Sequence, residues 1–200
     1  MGKLLNIPAY RQAQYLLVLQ PSETLRNRIQ QQRQIFSDTY QSILPGSKPH
    51  ITLAQFVTWQ MSEERLRHRL HMVAMGSHPF KVDLANYGSF PSHTIYINVA
   101  TKNQIQQLVR EVKVAQRLMK STDNTPHFIT EPYITIARKL LPWQYEKAWL
   151  EYEHKHFSGS FVADSMLLIK RPLDSKAWQI VERFELMNLP VSTTQGALFV

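Results

Sequence analysis

Apolar residues recur along this chain in two rhythms. Short, nearly continuous apolar runs bounded by proline or polar clusters predict strands, and apolar residues three or four apart predict helices. Tyr15–Pro21 (YLLVLQP) is a run of the first kind and predicts a buried strand. Leu25, Ile29 and Phe36 then recur at helical spacing in ETLRNRIQQQRQIFSDTY, with Ser22 placed as the N-cap. HITLAQFV (His50–Val57) predicts a second strand, and EERLRHRLHMVAM a second helix, capped by Ser62 and stopped by Gly76. Its Leu66, Leu70 and Val73 form a core-facing stripe, so its many basic residues read as a solvated face. FKVDLANYGSF and TIYINVA predict two strands parted by a Pro-Ser turn.

The order of elements then starts again. TIYINVA leads through Thr101 to a helix, KNQIQQLVREVKVAQRLM, then a loop and the strand PYITIARKL. A helix within PWQYEKAWLEYEHKHF, the strand FVADSMLLIKRP and a last strand, AWQIVERFEL, follow. Tyr15 and Tyr96 stand 81 positions apart, Thr52 and Thr135 83, and Phe80 and Phe161 81. Three nearly equal offsets in one order of elements indicate an internal duplication. Its units are about residues 10–92 and 93–186, packed side by side within one bilobal domain spanning 1–200, with 187–200 as a C-terminal tail.

Composition narrows the class of protein. The chain has 200 residues, 44% apolar and 19% charged, enough to bury a sizeable core. It has no cysteine, which excludes disulfides, thiolate metal sites and a cysteine nucleophile. No apolar run approaches the roughly 18 residues of a membrane span. The first residues fit neither a signal peptide nor, with Asn6 where Ser or Thr is needed, N-myristoylation. A soluble, cytoplasmic monomer is expected. The net charge of +8 favours polyanionic partners such as RNA or nucleotides.

The candidate chemistry lies in the two copies of one stretch, KPHITLAQF (48–56) and EPYITIARK (131–139). Side chains two apart on a strand share a face, so His50 projects with Thr52, and Tyr133 with Thr135. Burying such groups without partners costs on the order of 1–3 kcal/mol, and a polar groove between the lobes removes that cost. Two hydroxyls donating to phosphoryl oxygens, with imidazole moving protons near its ordinary pKa of about 6.5, make a candidate phosphate site that needs no metal or cofactor. His68, His71, His154 and His156 lack a completing carboxylate pattern and read as surface histidines. Arg138, three after Thr135, reaches the groove if the strand bulges or ends there. Lys170 and Arg171 stand at a strand end where they can meet a polyanion. His127 reaches the groove only through a bend.

A unit of about eighty residues, duplicated, with His-x-Thr-x in the first copy, resembles the 2H phosphoesterase superfamily, which includes 2′-5′ RNA ligase-like proteins and cyclic phosphodiesterases. PHITLAQF resembles its first motif. PYITIAR resembles its second, Arg138 included, but carries Tyr133 where the family has histidine. The resemblance covers about residues 12–186. It implies an α+β fold of two pseudo-symmetric lobes, each an antiparallel sheet with outer helices, around a central groove. It also implies acid/base chemistry on RNA ends, 2′,3′-cyclic phosphates, 2′-5′ linkages or cyclic nucleotides. In that reading His50, Thr52, Tyr133 and Thr135 are catalytic, and Arg138, Lys170 and Arg171 bind substrate. With one motif histidine the reaction is impaired or altered, or the groove only binds nucleotide or RNA.

Overall fold

The structure, a computed structural model, describes residues 11–175 and 177–189. Residues 1–10, read above for targeting patterns, and 190–200 of the expected tail lie outside the described residues. The elements run β1 (Gln12–Leu19), α1 (Glu23–Tyr40), β2 (Ile51–Trp59), α2 (Glu63–Gly76), β3 (Phe80–Phe90) and β4 (Thr94–Val99). They continue with α3 (Lys102–Val112), α4 (Gln116–Met119), β5 (His127–Phe128), β6 (Tyr133–Arg138), α5 (Pro142–Tyr152), β7 (Ser158–Ala163), β8 (Ser165–Pro172) and β9 (Gln179–Glu185). They form two antiparallel sheets, ordered β5-β2-β1-β8-β9 and β6-β4-β3-β7, with the helices outside.

Period-two alternation fixes what each sheet buries. Ala13, Tyr15, Leu17 and Leu19 of β1 enter the main core, while Leu16 and Val18, with Leu167 and Ile169 of β8, make a smaller cluster on the opposite face under Trp178. α1 follows β1 in the chain but packs on β6 and β7 of the other sheet. Its buried stripe is Leu25, Ile29, Arg33, Phe36 and Tyr40, so a guanidinium occupies a core position. α2 packs on β9, and α3 and α4 on β2.

Several boundaries differ from the periodicity. FVADSMLLIKRP is two strands: β7 pairs with β3 and β8 with β1, parted only by Asp164, whose carbonyl accepts from Leu186 N at 2.8 Å. Both halves are apolar on a buried face, so the pattern does not register the change of sheet. Each sheet thus draws on both halves of the chain: β3 joins β4, β6 and β7, and β8 joins β1 and β2. Ser22 and Ser62 make no side-chain cap bond, and Ser62 ends a 3-10 turn that runs into α2. Gly76 is the last helical residue, without a left-handed φ. The helix expected over 102–119 breaks into α3, a 3-10 turn and α4.

Candidate functional site

β2 and β6 come into contact where the two sheets meet, and the repeated stretches lie there. Each strand bulges at the same place in its motif. Along β1–β2, Leu17 faces Ala54 and Val18 faces Thr52, leaving Leu53 as the additional residue. Along β4–β6, Ile95 faces Ala137 and Tyr96 faces Thr135, leaving Ile136. Two consecutive side chains therefore turn inward on each strand, Leu53 and Ala54 on one and Ile136 and Ala137 on the other, all at most 1% exposed. The next residue, Gln55 or Arg138, is returned to the face of Thr52 or Thr135. His50, Thr52, Gln55, Tyr133, Thr135 and Arg138 line one groove of about 150 Å³.

His50 stands just before β2. Its Nδ1 lies 2.7 Å from the Lys48 carbonyl oxygen. A carbonyl only accepts, so Nδ1 carries the proton, and in the neutral ring Nε2 keeps its lone pair. Burial, with the Arg33 and Arg138 guanidinium groups nearby, lowers its pKa to about 4, against the raising effect of the Lys48 bond. His50 is therefore a neutral base at pH 7.

Tyr133 holds the matching place on β6. Its ring packs edge-on to Phe90, with centroids 5.1 Å apart, and tilted to Tyr96 at 5.0 Å. Burial raises its pKa, and Arg138 offsets part of the rise. The phenol is thus protonated at neutral pH. Gly88, opposite Tyr96, leaves room for this cluster: a Cβ there would lie 2.7 Å from the Tyr96 ring.

Arg33 reaches the groove from α1. It is 2% exposed and lines the cavity. Its Nε donates to the Thr135 carbonyl at 2.8 Å and its Nη1 to the Ser47 carbonyl at 2.7 Å. One side chain thereby ties together the approaches to both motifs. Burial and Arg138 lower its pKa to about 10, so it stays charged at neutral pH.

The outer residues divide by strand parity. Arg171 lines the groove, donates to Gln14 Oε1 at 2.8 Å and lies over the Trp178 ring at 4.9 Å. Its neighbour Lys170 points the other way, as adjacent strand residues must, and pairs with Glu63 at 2.7 Å beneath α2. Of the two strand-end cations, Arg171 lines the groove and Lys170 does not. His127 is exposed on β5, opposite Gln55, and does not line the groove. His68, His71, His154 and His156 are exposed. Among the described residues no three His, Asp or Glu side chains converge as metal ligands.

The profile of the 2′-5′ RNA ligase superfamily matches residues 21–174, most of the chain. The chain belongs to this superfamily. Among solved structures, Escherichia coli LigT in its apo form is 14% identical, with 88% of this chain and 98% of LigT covered and a TM-score of 0.63. LigT complexed with 3′-AMP is likewise 14% identical at a TM-score of 0.63, with 88% and 99% covered. The protein TT0787 of Thermus thermophilus is 16% identical, with 87% and 98% covered and a TM-score of 0.60. A search of curated protein sequences gave no match. The α+β arrangement of two antiparallel sheets with outer helices is the LigT-like fold.

Within this superfamily fold, sequence reasoning missed Gln55, Arg33, Gln14 and Trp178 as groove residues. Two of them leave a trace. Gln55 follows Thr52 by the same three positions that separate Arg138 from Thr135. Arg33 falls four after Ile29 and three before Phe36, on the stripe that the α1 rhythm assigns to the core. A charge in that stripe is a signal, because arginine is rarely buried without a use for its donors.

Proposed function

We propose that this chain is a 2′-5′ RNA ligase-like, cyclic phosphodiesterase-like protein. It acts on a phosphodiester or cyclic phosphate of an RNA end or nucleotide held in the inter-sheet groove. The observation that carries this reading is the convergence of His50, with Nε2 unprotonated, and the hydroxyl-bearing Thr52 and Thr135 on one basic groove. LigT, which shares the fold, has been solved with 3′-AMP and with ATP.

In the proposed reaction, Thr52 and Thr135 donate hydrogen bonds to phosphoryl oxygens, and Arg138 balances their charge. His50 Nε2 takes the proton of the attacking water or ribose hydroxyl. The leaving oxygen needs a proton in return, and Tyr133 stands where a second histidine would supply it. A phenol with an ordinary pKa near 10, raised further here, is a poorer donor than imidazolium. One proton-transfer role is typically worth 10²–10⁴ in rate, so turnover is slow. No cofactor or metal enters this scheme.

The Tyr133 cluster favours a second reading, a nucleotide- or RNA-binding protein that has lost catalysis. Aromatic faces beside a phosphate site suit base stacking. Incubation with a 2′,3′-cyclic mononucleotide and a 2′-5′ dinucleotide separates the two. Turnover that disappears in His50→Ala supports the enzyme. Saturable, salt-sensitive binding without turnover supports the binder, and absence of both defeats the groove as a site. The expected cytoplasmic, monomeric state belongs to the same proposal. Among the described residues no helix is long and apolar enough to cross a membrane.

A further inference from the structure

The groove holds more positive charge than a phosphodiester requires. Arg33, Arg138 and Arg171 line it, and no Asp or Glu does so among the described residues. Arg33 is the most telling of the three. It is 2% exposed, has no carboxylate partner, and its two hydrogen bonds go to backbone carbonyls, which leave its charge uncompensated. Its Nη2 makes no hydrogen bond among the described residues. A buried, unpaired cation is costly, and an anion in the adjoining cavity is the partner that removes the cost. Arg138 lines the same groove and disfavours the charge on Arg33, so an anion held in the groove relieves both guanidinium groups.

We infer that the groove selects a doubly charged phosphomonoester, a nucleotide with a terminal phosphate, over the singly charged diester or cyclic phosphate, with Arg33 and Arg138 as the selecting pair. The inference rests on the reading of the groove as a nucleotide phosphate site. A phosphomonoester carries about −1.5 to −2 at neutral pH and presents three acceptor oxygens. A diester keeps a single charge and two free oxygens. Thr52 and Thr135 serve either ligand, whereas the second guanidinium has a full partner only in the monoester. In a reaction the same preference retains a phosphomonoester product, making product release slow.

The test compares two ligands that differ by one methyl group and one charge: 2′-deoxyadenosine 3′-phosphate and its 3′-methyl phosphodiester. Neither has a 2′-hydroxyl, so neither can be opened by internal attack during the measurement. Calorimetric titration of the full chain at pH 7.5 is expected to give a monoester affinity at least tenfold above that of the diester. Arg33→Gln and Arg138→Gln should each shrink that ratio severalfold, and Arg33→Lys, which keeps the charge, should retain most of it. The ratio is the decisive readout, because a purely structural loss weakens both ligands alike. Arg138→Gln, at an exposed strand end, keeps the test open if Arg33→Gln does not fold. A ratio near one in the wild type, or one unchanged in both Gln variants, overturns the inference while leaving the groove as a nucleotide site. Binding of neither ligand overturns the nucleotide site and the inference with it.

Discussion

Gln55 and Arg138 occupy matching places on two strands from opposite halves of the chain. Each lies three residues beyond a groove threonine and is carried onto the groove face by a bulge. The groove therefore has a symmetric frame and asymmetric chemistry. At the two ends of the repeated motif it pairs His50 with Tyr133 and Gln55 with Arg138, so charge and hydrogen-bonding capacity differ across the pseudo-symmetric halves.

That asymmetry predicts different salt responses. Arg138→Ala removes a cation and should lower the affinity for a short single-stranded RNA about tenfold at low salt. It should also reduce the slope of log affinity against log salt by about one. Gln55→Ala removes neutral hydrogen bonds worth about 0.5–1.5 kcal/mol each and should leave the slope unchanged. Fluorescence anisotropy across a salt series measures both. Equal slopes for the two variants would remove Arg138 from the phosphate contacts.

Lys170 and Arg171 provide a second contrast. Lys170→Met breaks the pair with Glu63, which also accepts from Tyr15 Oη at 2.8 Å, so its effect should fall on stability. A loss of about 1 kcal/mol in urea unfolding is expected, with RNA affinity nearly unchanged. Arg171→Met should do the reverse, weakening RNA binding severalfold at little cost in stability. Loss of RNA affinity in Lys170→Met with unchanged stability would place its ammonium group at the rim after all.

The fall of the His50 pKa sets a pH dependence. Unfolded, the imidazole titrates near 6.5, and in the folded chain near 4. Between those values the unfolded state binds a proton that the folded state refuses. The His50 contribution to stability is therefore level above about pH 6.5, declines as pH falls toward about 4, and levels again below it. His50→Gln should lose about 1 kcal/mol less than the wild type between pH 7.5 and 4.5, a figure discounted because His50 is only half-buried. Parallel stability curves for the two proteins would show that the ring titrates freely. In the enzyme reading, the acid limb of kcat/KM should also lie well below pH 6.5.

Much of this was legible from the chain. The helices and most strands follow from apolar spacing, and His50, Thr52, Tyr133 and Thr135, picked out in the two similar stretches, line one groove. What was not legible depends on contacts distant in sequence. The bulges that bring in Gln55 and Arg138 arise from pairing registers with β1 and β4. The division of FVADSMLLIKRP between two sheets leaves its apolar pattern intact. Arg33 becomes a groove residue only because α1 crosses to the second sheet. Lys170 was separable from Arg171 by strand parity alone.

Tyr133→His tests whether the second half of the site still holds the frame for catalysis. Pro49 precedes His50, and Pro132 precedes Tyr133. The Lys48 carbonyl that fixes the His50 ring has its counterpart in Glu131, also two residues before the motif position. A histidine introduced at 133 should donate Nδ1–H to the Glu131 carbonyl and turn Nε2 into the groove. The exchange forfeits aromatic contacts with Phe90 and Tyr96 worth about 0.5–1.5 kcal/mol, which a folded domain tolerates. Turnover of a 2′,3′-cyclic mononucleotide should rise on the order of 10²-fold, the lower range for one restored proton transfer. The gain should vanish in the double variant with His50→Ala, because acid and base act on the same phosphate. Tyr133→Phe should leave wild-type turnover within a few-fold if the phenol is a poor donor. A folded Tyr133→His protein with no gain would mean that the groove has diverged beyond this one residue, and the binding reading would then stand.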